Sequence, residues 1–435
     1  MNTVPSNREE RKTKYDLVVV GGGPAGCGAA LAAARGGLSV LLVEASGSLG
    51  GAATNCLVLP FMPYTTEISE NGEKRRLALS AGIFAEIARA LDEDGIFSAP
   101  KASRTFNEES LKVILDRKMA EAGVDVLFHA TLCGVRTAGR RVEAVSVATV
   151  AGVFSFEADS FVDATGDATL ATFAGCPSRL GRPSDSLCQP MTLCFRLCNA
   201  DVDGFHRSRA DINALYCKFQ AEGKIKNPRE NVLVFDTRVP GVLHFNTTRI
   251  VKHDPADPFS VSRAEALARE QVVEMVEFLT KNFECFKNAS LVSTAASIGV
   301  RESRMIEARH VLDADELLAG THFDDGIAAG NYDIDIHSPD GSGTSHHYFP
   351  PGVYYTIPYR SLLPVSHDNL LVAGRCIGAT HEAQASVRIM PICMCTGEAA
   401  GAAAALAKES GAAPADVDPA ALRGRLRAAG AFVGP

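Results

Sequence analysis

The sequence predicts an α/β fold: a parallel sheet carrying helices, with a mixed α+β insertion between its middle and its last strand. Three observations predict it. Near the N-terminus, KYDLVVVGGGPAGCGAALAAARGGLSVLLVEASG alternates an apolar β-type run, a glycine turn, a helix-forming stretch and a second apolar run. Two later apolar runs, SFVDATGDATLATFAG at 160–175 and NLLVAGRCIG at 369–378, each end in glycine, as strands that enter a turn do. Between those two lies a long stretch with both strand-like and helical patterning.

In the first unit, residues 17–20 are a short aliphatic strand, 29–34 are strong helix formers, and 39–43 return to an aliphatic strand. Gly21, Gly23 and Gly26, with Pro24 and Ala25 between them, satisfy G-x-G-x-x-G. The first glycine permits the tight turn, the second lets backbone approach a pyrophosphate, and the third lets the helix pack on the strand. The helix N-terminus then offers unpaired N–H groups to phosphates. The motif alone is weak. Set between a strand and a helix, and followed by Glu44 where a carboxylate can bind ribose hydroxyls, it marks a Rossmann-like dinucleotide-binding unit.

Further along, 81–95 reads as an amphipathic helix with Ile83, Phe84, Ile87, Ala90 and Leu91 on its apolar face, and VDVLFHATLCGV at 124–135 reads as strand. In the insertion, GVLHFNTTRI at 241–250 reads as strand, and SRAEALAREQVVEMVEFLTKNF at 262–283 as a long helix facing inward through Ala268, Val272, Met275, Val276 and Leu279. MPICMCTGEAAGAAAALA at 390–407 is a closely packable helix with Pro391 in its first turn. A short helix starts at Asp418-Pro419. The expected organisation is a disordered tail at 1–13, a discontinuous dinucleotide domain at 14–65, 105–178 and 360–410, a helical insertion at 66–104, a substrate domain at 180–359, and a C-terminal tail at 411–435.

Composition narrows the function. The chain has 435 residues, is 46% hydrophobic and carries a net charge of -8, which argues against nucleic acid or an anionic membrane as a general partner. No run approaches about 18 uninterrupted apolar residues, and MNTVPSNREERKTK lacks a signal-peptide core, so no membrane insertion and a cytoplasmic location are expected. The 12 cysteines are scattered and read as reduced, buried thiols. Cys393 and Cys395 are one residue apart and Cys194 and Cys198 three apart, unlike zinc or iron-sulfur spacings. His346 and His347 are adjacent and would point to opposite sides of an extended segment, so no metal is expected.

Six blocks carry a resemblance: GGGPAG, EASGSLGGAAT at 44–54, VDATGDA, SIGVRESRMI at 297–306, YYTIPYRSLLP at 354–364 and GRCIGATHEAQASVRIMPICMCTGEAAG at 374–401. Together they resemble the two-dinucleotide-binding-domain flavoproteins of the glutathione reductase type, and more narrowly the FAD-dependent oxidoreductases, distant relatives of fumarate reductase flavoprotein subunits. The resemblance covers most of 14–408 and is weakest over 180–231. It implies FAD, with Gly21, Gly23 and Gly26 at the pyrophosphate, Glu44 at the adenosine ribose, and Gly50, Gly51 and Thr54 lining the path to the isoalloxazine. It further implies that Leu132 or Cys133 offers backbone to adenine, that Asp163, Gly166 and Asp167 support the phosphate side, and that Gly374 and Arg375 approach the flavin. Arg388, Met390 and Pro391 would bring charge and a helix N-terminus to the anionic flavin.

Substrate chemistry has several candidates. Arg301, Glu302 and Arg304 lie in one block; Asp333, Asp335, His337, His346 and His347 in another; His381 and Glu382 in a third. Arg301 is expected to orient or polarise an oxygen-bearing small molecule, and His337 or His381 to move a proton. Tyr354 and Tyr355 are candidates for the pocket wall or the core. The leading function is FAD-dependent hydride transfer to or from flavin N5; the alternatives are a flavin monooxygenase and a non-catalytic FAD-binding redox sensor. No second convincing G-x-G-x-x-G exists for a nicotinamide cofactor, so a separate electron donor or acceptor is expected. The oligomeric state stays open.

Overall fold

A computed structural model describes residues 12–70, 72–93, 97, 105–341 and 343–435. Its centre is a parallel sheet in the order Asp125–Leu127, Val40–Val43, Lys14–Val20, Gly152–Asp163, Leu370–Val372. The strand register aligns the ends of this sheet. Val20 pairs with Val43 on one side and Asp163 on the other, and Asp163 pairs with Val372. Four strands therefore end in one row, and the next residues, Gly21, Glu44, Ala164 and Ala373, stand together along the carboxyl edge, where open α/β sheets bind ligands.

The strand Gly152–Asp163 serves two partners in succession. Its first half pairs antiparallel with Arg141–Thr149, which in turn pairs with Thr131–Ala138, while its second half enters the parallel core. The run 124–135, predicted as one strand, is split in two. His129 adopts a left-handed φ of 50° and donates its N–H to Ser46 O, which turns the chain under Glu44.

Two helices lie against each other over the sheet, Pro24–Arg35 and Met390–Ser410. Their backbones touch because the contacts are glycine. A methyl group on Gly28 would lie 2.4 Å from Met394 O, on Gly397 1.9 Å from Ala25 O, and on Gly401 2.1 Å from Ala29 O. The second helix is long and apolar enough to cross a membrane, but 94% of its apolar stretch is buried inside the fold. Small residues here serve interior packing.

A second core forms around Phe195–Cys198, Val234–Asp236, Leu243–Phe245 and Ser290–Thr294, which make a four-stranded antiparallel sheet. Phe195 and Phe245 stack at 4.7 Å between ring centroids. Helix Pro258–Asn282 covers this core through Ala264, Ala268, Val272, Met275, Phe278 and Leu279. Val276 is only half-buried. Of the predicted strand at 241–250, Leu243–Phe245 is in the sheet.

The segment 66–104, predicted as helical, opens instead with a hairpin of Thr65–Glu70 and Glu73–Ala78, followed by helix Ile83–Glu93. The hairpin residues are largely polar and exposed, which hides the two-residue period that marks half-buried strands. The tail helix Pro419–Ala428 forms, capped by Asp418. The tail predicted to be disordered falls, apart from residues 12 and 13, outside the described residues.

Candidate functional site

The first half of the site is the glycine turn. Gly21 has φ 101°, and a methyl group there would lie 2.5 Å from Ala164 O; one on Gly26 would lie 1.7 Å from Gly21 O. Both glycines are demanded by the fold itself. Gly23 differs: its φ is -70°, and beyond its chain neighbours the nearest atom a methyl group would meet among the described residues is Gly51 Cα, 3.9 Å away. Neither sterics nor dihedral requires glycine there, whereas a phosphate seated against the backbone would.

Helix caps point the same way. The long helices beginning at Glu108, Val202, Pro258 and Pro419 are capped by Asn107, Asp201, Asp257 and Asp418. Pro24–Arg35 and Met390–Ser410 follow Gly23 and Ile389, which give no side-chain cap. Among the described residues no cap side chain takes their first N–H groups, and an uncapped helix start is a favourable place for an anion. Gly374, at φ 89°, lies beside Ala25 and Cys393 and donates its N–H to Thr396 Oγ1 at 3.0 Å, so the two helix starts and the late strand converge. Met390 and Pro391 are buried at that convergence.

Glu44 is buried, and its carboxylate accepts from Gly22 N at 2.6 Å and Ser46 N at 2.7 Å. This holds it against the turn. Gly50 and Gly51 have φ of 103° and 51°, and Gly50 donates to Gly22 O, which lays the 50–54 segment on the glycine turn. Thr54 fixes that segment by donating to Leu49 O. Asp163 is fully buried and accepts from Thr165 N, Thr165 Oγ1 and Ala171 N, so it shapes the turn rather than facing outward. Cys133 is exposed on its strand and contacts Ser146 O, while Leu132 is buried.

Arg375 is held on several sides. Its guanidinium donates to Gly166 O at 2.7 Å, to Asp167 and to Val300 O, joining the late strand, the 163–167 turn and the 297–301 loop. Ser297 N bonds Asn55 O, so the same loop also touches the segment after Glu44. Arg301 therefore follows directly from residues packed at the predicted isoalloxazine end.

The substrate-chemistry candidates form one network here. Helix His381–Val387 carries His381, Gln384 and, at its C-cap, Arg388 on one face, spaced three and four residues apart. His381 Nδ1 donates to Glu302 Oε1 at 2.7 Å, and Glu302, fully buried, also accepts from Gln189 N at 2.8 Å. Gln384 donates to Arg301 O at 2.9 Å. Among the described residues, His381 Nε2 has no hydrogen-bond partner.

His337 sits differently. Its Nδ1 lies 2.8 Å from Arg249 Nη2, which can only donate, so Nδ1 is the acceptor and Nε2–H points at Asp335 Oδ2, 3.3 Å away. Burial, and then the charge of Arg301, push its pKa well below the ordinary histidine value. His337 is a neutral, doubly engaged connector. Burial raises the Asp335 carboxyl, but the His337 hydrogen bond and the Arg388 charge outweigh it and hold it far below the carboxylate range. Asp333, Asp335 and His346 offer ligand atoms within 4.8 Å of one another, with His346 Nδ1 2.5 Å from Asp333 and Arg388 3.3 Å from Asp335. The arginine already supplies the positive charge a cation would bring.

The cysteines are all free, and Cys393 and Cys395 have their thiols pushed up to about 12 by burial, which suits packing and not redox exchange. Tyr355 is core, bonded to Ser386 at 2.6 Å, whereas Tyr354 stacks with His322 and meets Phe432 edge to face. Arg304 reaches Asp167 O at 3.4 Å. Sequence reasoning missed Gln189, Arg229, Arg249 and Gln384. An arginine inside the predicted strand 241–250 was the available signal, because charge in a buried segment needs a reason.

The parallel sheet, the bare Gly23 and the two uncapped helix starts define a dinucleotide-cofactor enzyme of α/β class. Residues 16–426 match the FAD dependent oxidoreductase family, and the chain belongs to it. It is an enzyme whose cofactor is FAD. Among curated proteins it is similar to a soluble pyridine nucleotide transhydrogenase of Marinomonas sp. strain MWYL1, with 32% identity over 26% of this chain and 23% of that one. It is also similar to digeranylgeranylglycerophospholipid reductase 1 of Methanococcoides burtonii, with 29% identity over 40% of this chain and 43% of that one. The chain thus spans less than half the length of either. Among solved structures it is similar to a geranylgeranyl bacteriochlorophyll reductase-like protein of Thermoplasma acidophilum, with 14% identity, coverage of 96% and 83%, and a TM-score of 0.44. The flavin-dependent brominase Bmp2 gives 13% identity, 96% and 83% coverage, and a TM-score of 0.45.

Proposed function

We propose that this enzyme transfers a hydride between a small oxygenated organic molecule and flavin N5, using Arg301 to hold the substrate oxygen and His381 to exchange its proton. The observation that carries the reading is the His381–Glu302 pair. A carboxylate fixes Nδ1 as the donor and leaves Nε2 as the one nitrogen able to take or give a proton, the arrangement of an oriented acid-base histidine. His337 cannot serve equally, since both its nitrogens are engaged.

FAD, when bound, supplies the two-electron chemistry at N5. The chain's own residues position and neutralise. Gly21, Gly23, Gly26 and the start of Pro24–Arg35 take the pyrophosphate, Glu44 the ribose, and Arg388 with the start of Met390–Ser410 the developing negative charge. On this reading 180–359 is the substrate domain of a glutathione reductase-type flavoprotein, distantly akin to fumarate reductase flavoprotein subunits, with a separate electron partner. The second core around Phe195 and Phe245 supports that division for about 191–298, whereas Leu312, Ile327, Ile334 and Tyr355 pack into the core of the dinucleotide unit.

Anaerobic stopped-flow mixing tests it. Substrate that bleaches the oxidised flavin without oxygen supports hydride transfer. Rapid nicotinamide oxidation giving a hydroxylated product would instead make the enzyme a monooxygenase, and a flavin inert to both would make it a sensor.

A further inference from the structure

Four arginines surround the substrate side of this network, and they are unevenly matched. Arg249 pairs with Glu230 at 3.2 Å and Arg388 with Asp335 at 3.3 Å. Among the described residues Arg301 hydrogen-bonds only neutral oxygens, Pro190 O at 2.6 Å and Thr192 Oγ1 at 2.5 Å. Arg229 is 4% exposed, its Nε and Nη1 are buried without a hydrogen-bond partner among the described residues, and its nearest carboxylate, Glu230, stands 3.9 Å away. Arg249 Nε and Arg388 Nε are likewise buried and unpartnered.

A buried guanidinium left this way is costly, because its donors have given up water for nothing. Two such groups near each other cost more. Burial lowers the Arg301 pKa to about 9, and the next largest influence is the charge of Arg229, followed by Arg388. The fold also ties the four together. Glu230 lies between Arg229 and Arg249, Arg249 bonds His337, His337 bonds Asp335, and Asp335 bonds Arg388; Thr192, under Arg301, donates to Thr248 O beside Arg249. Glu302, the carboxylate beside Arg301 in sequence, is turned to His381 and Gln189 instead. Glu230, Asp335 and Glu302 are thus engaged by Arg249, Arg388 and His381, so the shortage of negative charge is local to Arg229 and Arg301, where the substrate is expected.

We infer that the substrate is an organic carboxylate, and that Arg229, from the inserted segment, is a specificity residue that holds the carboxylate together with Arg301. The donors are planar forks with no lysine among them, which suits two coplanar oxygens. The inference rests on the hydride-transfer reading for calling the ligand a substrate. The anion site itself is tested without turnover.

The experiment uses the FAD-loaded enzyme titrated with malonate, succinate, inorganic phosphate and the neutral malonamide, followed by the flavin difference spectrum and by calorimetry. Malonate or succinate is expected to bind and malonamide not to bind. Arg229→Gln is expected to weaken carboxylate binding about 10- to 100-fold, as loss of a charged hydrogen bond does, with Arg229→Lys intermediate. Because Arg229 makes no side-chain hydrogen bond among the described residues, Arg229→Gln without ligand should melt no lower than the parent, while losing the rise in Tm that malonate gives the parent. Equal binding of malonamide, tighter binding of phosphate than of either carboxylate, or unchanged malonate affinity in Arg229→Gln each overturns the proposal. An enzyme that binds malonate through Arg229 yet is never reduced anaerobically keeps this site and loses only the hydride reading.

Discussion

Gly23 and Gly26 belong to one motif, yet the structure sets them in opposite surroundings, and substituting each by alanine is expected to separate cofactor binding from folding. At Gly26 the new methyl would sit 1.7 Å from Gly21 O and 3.3 Å from Ala164 Cβ. Contact needs well over 3 Å, so the helix must move off the strand by more than 1 Å, and overpacking of this kind costs about 3 kcal/mol or more. At Gly23 the methyl meets no other protein atom nearer than 3.9 Å, and φ -70°, ψ -175° is open to alanine. A weaker helix start and a stiffer unfolded chain nearly offset, leaving a net change within about 0.5 kcal/mol. The FAD pyrophosphate, however, loses its approach to the turn, and loss of one or two charged hydrogen bonds raises Kd about 10- to 1000-fold. Urea unfolding of the cofactor-free protein and FAD titration by fluorescence quenching measure the two effects. Gly23→Ala as unstable as Gly26→Ala, or binding FAD like the parent, would refute the reasoning.

Single contacts elsewhere set further expectations. Burial raises the Glu398 carboxyl from 4.5 to about 7, against the opposing pull of the Ile83 N–H. A raised acid binds its proton more tightly in the folded state, so its contribution is full below about pH 4.5 and is lost as pH rises through about 7. The loss amounts to at most about 3 kcal/mol. Glu398→Gln should therefore match the parent near pH 4.5 and exceed it near pH 8, and equal denaturation midpoints at both pH values would count against this. Arg196 holds Glu108 through two 2.6 Å bonds, with Glu108 9% exposed. Arg196→Met should cost about 3–5 kcal/mol in urea unfolding, and the added change Glu108→Leu should recover most of it. His381→Asn should keep FAD and lower kcat about 100- to 10,000-fold. His337→Asn should retain the acid-base limb of the pH–rate profile; its disappearance in that variant would move the proton to His337.

How much of this was legible in the chain depends on distance along it. The first unit was readable because its signals are local: an aliphatic run, G-x-G-x-x-G and a terminal Glu44 fall within 31 residues. The helix starting near Pro391 was readable for the same reason, and its glycines proved to be contacts with the first helix. The hairpin at 65–78 was not readable, since its polar strands show no buried face. Neither was the choice between His337 and His381. That choice is made by Arg249 and Glu302, 88 and 79 residues away from their respective partners. Arg229 lies in the segment where resemblance failed, and only burial without a partner gives it meaning.

The central claim, an arginine-lined hydride-transfer site with His381 as its proton carrier, is tested most directly by mixing the oxidised, FAD-loaded enzyme without oxygen with a panel of small hydroxy acids and their amides. Loss of the oxidised flavin band with an acid, its absence with the matching amide, and a rate at least about 100-fold slower in His381→Asn are the expected results. Reduction by neutral compounds alone, or at the parent's rate in His381→Asn, would contradict it.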